Sequence, residues 1–228
     1  MNPGLRRSTL ALLASSLLLT IGRGATLPFM TIYLNRQYGL VLWFTLSAFL
    51  ASFVGVAFAS CISQYVMVVA DSGFAEKVVA VVLPVNAVIV VSLQYAVGRR
   101  LTAVNIRPMM TTGTVFFIAG LIGFIFSGDN LFFWGLSAAV FTIGEIIYAP
   151  GEYMLIDNIA PAGMKASYFS AQSLGWLGAA VNPLASGVIL TTLPAWSLFV
   201  VLIIAIVFAW ALMLKGMRIT PTQQAITC

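Results

Sequence analysis

Histidine is absent from all 228 residues. Its absence excludes His-ligated zinc or haem, Ser-His-Asp catalysis and imidazole proton relays at once. Cysteine is nearly absent as well. Cys61 lies in an apolar run and Cys228 is the last residue, so neither a disulfide framework nor a prenylation box is present. Charge is scarce, with 7% charged and 61% hydrophobic residues, against about 25% and roughly 45–50% in soluble domains. Mean hydropathy is +1.05. A soluble globule of this composition could not cover its own surface with polar groups, and disorder requires the opposite composition. The chain is therefore read as an integral membrane protein with the lipid bilayer as its solvent. Eleven basic against six acidic residues give a net charge of +5. The basic residues stand at the ends of apolar runs, so they read as topology signals and no nucleic-acid partner is expected. No metal, cofactor or nucleophile constellation emerges, and no enzymatic activity is expected.

What the chain does contain is seven apolar segments, near 8–34, 41–63, 77–97, 109–127, 130–156, 164–190 and 196–215. They are long and continuous, without the period-two alternation of a membrane barrel. The expected fold is all-α: a polytopic membrane helix bundle of about seven transmembrane helices. The Arg6-Arg7 pair followed by Ser8–Thr20 is similar to a signal peptide. The apolar stretch, however, continues past Gly22-Arg23-Gly24 to Leu34, no small-residue cleavage site follows, and further spans come at once. An uncleaved first helix is the better reading. The linkers are short: Asp71–Lys77, Gly98–Pro108, Ser127–Asn130, Pro161–Lys165 and Leu193-Pro194.

Charge counting gives an orientation and then a contradiction. If the Arg99, Arg100 and Arg107 loop is cytoplasmic, Lys165, Lys215 and Arg218 fall on the same side, whereas the opposite side of the last six spans carries only Lys77. The positive-inside rule then places the start of the second span, near Leu40, in the cytoplasm. Arg6 and Arg7 also belong inside, which would bring the first helix out on the other side near Arg36. The few residues between Arg36 and Val41 cannot recross a bilayer that needs about 20 helical residues. The simplest expectation is a missing block containing an odd number of spans.

Two stretches resemble a known family. Arg6–Leu34, with Gly22-Arg23-Gly24-Ala25-Thr26-Leu27-Pro28-Phe29 and Tyr33-Leu34, resembles the first helix of a major facilitator superfamily transporter. Leu42–Gly216 resembles helices seven to twelve. The run Gly144-Glu145-Ile146-Ile147-Tyr148-Ala149-Pro150, continuing through Asp157, Pro161, Lys165 and Tyr168, is similar to helix ten and its following loop in the drug:proton antiporter branch. Ser170–Gly178 through Asn182-Pro183 is similar to helix eleven. The resemblance implies a division into residues 1–39, the first helix of the N-terminal half, and 40–228, a C-terminal six-helix half, with helices two to six missing. It further implies a multi-pass protein of the bacterial inner membrane, and proton-driven export of small solutes through a cavity between two halves. With most of one half missing, little or no coupled transport by the isolated chain is expected.

Residues that could carry such a function are polar side chains inside apolar runs. Arg23 sits mid-span, where a charge costs about 2.5–3.5 kcal/mol on insertion scales, so it is expected to face a cavity or a partner charge unless it snorkels or fixes packing. Glu145 and Glu152 are seven residues apart on one helix and share a face within about 20°, with Tyr148 between them. A carboxyl group withdrawn from water binds a proton more readily, as a proton-coupling site requires. Glu145 lies deeper in its run, and Pro150-Gly151 is a candidate kink between the two. Gln172 and Trp176 stand one turn apart on the sixth segment, with Asn182 beyond them; such groups line a solute path or bond across helices. Arg99, Arg100, Asp157 and Lys165 are assigned as gate or topology charges. The rows Ser47/Ala51/Gly55/Ala59 and Ala171/Gly175/Ala179 repeat small residues every four positions and are expected to pack helices closely. Trp43, Trp134 and Trp196 near span ends are expected as interfacial anchors.

Other membrane architectures fit less well. A retinal-type photoreceptor needs a lysine deep in a helix, but Lys77, Lys165 and Lys215 all stand at span ends. The competing reading to transport is a half-transporter that packs as a regulatory subunit, with a homodimer through the face that would meet the other half.

Overall fold

The structure, a computed structural model, describes residues 41–160 and 165–219. Among them are seven α-helices: α1 (Val41–Val69), α2 (Ser72–Arg100), α3 (Ile106–Phe126), α4 (Leu131–Ile159), α5 (Lys165–Gln172), α6 (Trp176–Thr192) and α7 (Ser197–Ile219). A single 3-10 turn, Ser173–Gly175, joins α5 to α6. The all-α polytopic bundle expected from composition is what forms. Five helical stretches are long and apolar enough to cross a membrane, and α1 makes a sixth if its two halves, bent by 53°, count as one span. The segment expected near 8–34 lies outside the described residues.

Local chemistry sets the helix ends. The Asp71 carboxylate accepts from the Phe74 amide at 2.6 Å and starts α2. Asn130 caps α4 through the Phe132 amide at 2.9 Å, after a turn in which Gly128 takes φ +47°. Between α2 and α3, the Asn105 side chain accepts from the Thr102 amide at 2.7 Å and donates to the Arg100 carbonyl at 2.7 Å. That pair of bonds closes the loop without a buried orphan group.

Small residues set the helix packing. α3 lies against α4, where a methyl group on Gly120 would come within 2.6 Å of Phe141. α1 lies against α6 and α7, and a side chain on Gly178 would collide with the Phe49 carbonyl. Around these contacts aromatic rings fill the centre. Phe117 and Phe141 meet edge-on at 4.8 Å, and Phe124 stacks on Trp134 at 5.5 Å and on Phe199 at 5.8 Å. α2 is the most peripheral helix. Its buried residues are Ala75, Val78 and Val82, all in the first half, while Val91 and Tyr95 further along are largely exposed.

Three local features add detail to the sequence reading. The sixth segment forms one span, Tyr168–Thr192, that tightens to a 3-10 turn at Ser173–Gly175, where Ser173 donates to the Phe169 carbonyl at 3.0 Å and Gly175 presses on Ala48. α4 is a single helix with Pro150, the candidate kink, inside it. Trp134 is 2% exposed and faces the core, its indole N–H donating to the Gly128 carbonyl at 2.9 Å, so it is not an interfacial anchor. The short turn before α4 supplies the partner that lets the indole turn inward. Trp43 and Trp196 keep positions that suit anchors. Lys215 Nζ lies 3.7 Å from the Trp43 ring centroid, and Trp196 is exposed.

Candidate functional site

A cavity of about 260 Å³ lies between α1, α4 and the α5–α6 junction. α1 meets it with Ala48, Ala51, Ser52 and Gly55, and no atom approaches the space a Gly55 side chain would fill. Half of the small-residue row expected to pack helices thus leaves room instead. α4 supplies Glu145, Tyr148 and Glu152, and the α5–α6 segment supplies Gln172 and Trp176. Five residues singled out from the sequence therefore line one space. Tyr153 and Phe169, stacked at 6.1 Å, stand at its rim, and Trp176 is 64% exposed there. No lysine or arginine among the described residues lines it.

The two carboxyl groups are held differently. Asn86, on α2, donates through Nδ2 to Glu145 Oε2 at 2.9 Å and to Thr142 Oγ1 at 3.0 Å. Thr142 in turn donates to the Ala138 carbonyl at 2.8 Å. Gln172, from α5, lines the same cavity as Glu152. Between the two carboxyls, Tyr148 is 3% exposed. Its hydroxyl sits near Ser47 and the Glu152 carboxyl but makes no hydrogen bond of normal geometry, while the Ser47 hydroxyl donates to the Ala209 carbonyl at 2.8 Å. A buried donor without a partner is costly and stands ready for one. The site thus offers two carboxyls, an unpartnered phenol and several aromatic faces.

Other candidates lie elsewhere. Asn182 is fully buried in a knot between α1 and α6. Its Nδ2 donates to the Phe53 carbonyl at 2.7 Å, and its Oδ1 accepts from Ser60 at 2.6 Å and Cys61 at 2.8 Å. Ser186 lies 2.8 Å from the Cys61 sulfur. Arg99 and Arg100 are exposed at the end of α2, with the Arg99 guanidinium 5.9 Å from the Tyr95 ring centroid. Asp157 and Lys165 form an exposed ion pair across the α4–α5 link. Arg23 lies outside the described residues. Sequence reasoning missed Asn86, although an amide inside the valine-rich run of α2 was a signal of the same kind as Gln172. It also missed Phe117, Tyr153 and Phe169, which no polar signal marks.

Comparison with known proteins adds a relative. No family model matches the chain. No solved structure matches it either. Over 188 residues the chain is 72% identical to the MFS-type transporter YdeE of Escherichia coli (strain K12). The alignment covers 82% of this chain and 48% of that protein, so the chain spans about half the length of the curated relative it matches. The identity runs over most of the helical bundle just described, and by it the chain is a close relative of part of an MFS-type transporter.

Proposed function

We propose that this chain contributes the solute- and proton-binding wall of a membrane transport system that exports small solutes in exchange for protons. The observation that carries the reading is the convergence of Glu145, Tyr148, Glu152, Gln172 and Trp176 on one cavity inside an apolar bundle. Carboxyls in such a place are expensive unless they serve a path or a partner. Glu145 has one amide partner, Asn86, and the phenol between the two carboxyls has none. A solute that enters and bonds to a carboxyl competes with its proton, which is the elementary act of proton-coupled exchange. The 260 Å³ space, lined on one side by aromatic rings, suits a small organic molecule. Alternating access needs a second rigid body to rock against, so the chain on its own is assigned the binding step rather than the whole cycle.

The test is proton release. The purified chain in weakly buffered detergent solution is given a drug-like dye, a sugar, an amino acid and a dipeptide in turn, while a pH indicator is read. At least one solute is expected to release protons from the wild type, with the signal abolished by Glu145→Gln or Glu152→Gln. No release with any of the four, or release indifferent to both substitutions, contradicts the reading. The half-transporter that only packs as a subunit, dimerised through its exposed apolar face, is the alternative that such silence would favour.

A further inference from the structure

We infer that Asn86 is a positioning residue for the cavity: its amide holds one oxygen of Glu145 and so presents the other to the solute space. The inference rests on the reading of Glu145 as a working carboxyl and adds the residue that orients it. Asn86 itself does not line the cavity, and neither does Thr142. The amide nitrogen has two hydrogens and two acceptors within reach, Glu145 Oε2 at 2.9 Å and Thr142 Oγ1 at 3.0 Å. Thr142 is fixed in turn, since its hydroxyl donates to the Ala138 carbonyl at 2.8 Å and leaves an oxygen lone pair for Asn86. The donor is therefore clamped at a point set by the α4 backbone. A carboxyl so held cannot turn freely, and Oε2 is engaged on the α2 side while the group as a whole borders the cavity.

The position of Asn86 in its helix supports the same conclusion. α2 is anchored through Ala75, Val78 and Val82, and beyond Asn86 its side chains are largely exposed. An asparagine at that depth carries a desolvation cost that a valine, the commonest residue of this helix, would avoid. Its bonds to Glu145 and Thr142 are what offset that cost. The Asn86 amide bonds to Glu145 and Thr142 and not to Glu152, so its loss should leave the Glu152 carboxyl unchanged.

The test is carbodiimide modification of the full-length chain in lipid vesicles, with the extents at Glu145 and Glu152 read separately by peptide mass spectrometry. Asn86→Leu preserves bulk and apolarity but removes the donor. It is expected to raise the modification rate at Glu145 by roughly two- to tenfold, the scale of one net hydrogen bond, with Glu152 unchanged. Asn86→Gln, which keeps an amide, is expected to return part of the difference. An unchanged rate at Glu145, or equal rises at both carboxyls, overturns the inference, since the latter reports general loosening. Absence of modification at Glu145 in every form overturns it too, because the carboxyl would then not face the cavity. The underlying reading fails separately: if the solutes that release protons do not protect wild-type Glu145, the cavity is not their site, whatever Asn86→Leu does.

Discussion

At the scale of single residues, the polar side chains inside this bundle divide by whether their hydrogen bonds are complete. Asn182 is satisfied on both ends of its amide, by the Phe53 carbonyl and by Ser60 and Cys61. It ties α1 to α6 in the manner of interhelical polar contacts in membranes. Asn182→Ala is expected to cost about 1–2 kcal/mol, the range for such contacts, seen as a lowered unfolding midpoint in detergent with solute binding retained. A loss of solute binding without a loss of stability would instead put Asn182 on the path. Tyr148 is the opposite case, buried and unpartnered beside two carboxyls. Sequence could find both residues, because each is a polar group in an apolar run. It could not separate them, since completeness of hydrogen bonding depends on which helix stands opposite. Glu145, Tyr148 and Glu152 were legible as a set because a single helix carries them and its period alone aligns them. Asn86 needed the α2–α4 contact to acquire meaning.

At the scale of elements, the small-residue rows show how one pattern serves two ends. Gly175 and Gly178 bring the α5–α6 segment onto Ala48 and Phe49 of α1, while Ala51 and Gly55 one turn and two turns further leave the cavity open. Gly178→Val would force its side chain into the Phe49 carbonyl. Such overpacking typically costs about 1–3 kcal/mol, and a thermal shift measurement should show it. Gly55→Ala, facing open space, should leave stability nearly unchanged, and equal losses at the two glycines would contradict this packing scheme. The six apolar segments from 41 onward located the described helices well because a bilayer enforces length and apolarity together. The 3-10 turn at Ser173–Gly175 was not visible, since Ser-Leu-Gly is tolerated within a helix and only its fit against Ala48 favours the tighter turn. Trp134 misled for a related reason: nearness to a span end does not say which way a ring points.

At the scale of the whole molecule, the charge distribution has a direction. Lys215 over the Trp43 ring shows that the end of α7 and the start of α1 are neighbours. Short links then put Arg99, Arg100, Arg107 and the Asp157–Lys165 pair at that same end of the bundle, while Asp71, Glu76, Lys77 and Asp129 mark the other. By the positive-inside rule the basic end is expected in the cytoplasm. A reporter fused after Cys228 should therefore be cytoplasmic, and a reporter in the 127–130 turn should be outside. The reverse pair would mean that something upstream of Val41 overrides six positive charges.

The central claim is that the cavity between α1, α4 and the α5–α6 junction is the place where a solute binds. Equilibrium binding of the proton-releasing solute to the purified chain tests it most directly, with Glu145→Gln, Glu152→Gln and Asn182→Ser compared against wild type. The wild type is expected to bind, both glutamate variants to bind at least tenfold more weakly, about the value of one lost charge-assisted bond, and Asn182→Ser to bind near-normally. Binding that survives both glutamate substitutions and fails in Asn182→Ser would contradict that claim.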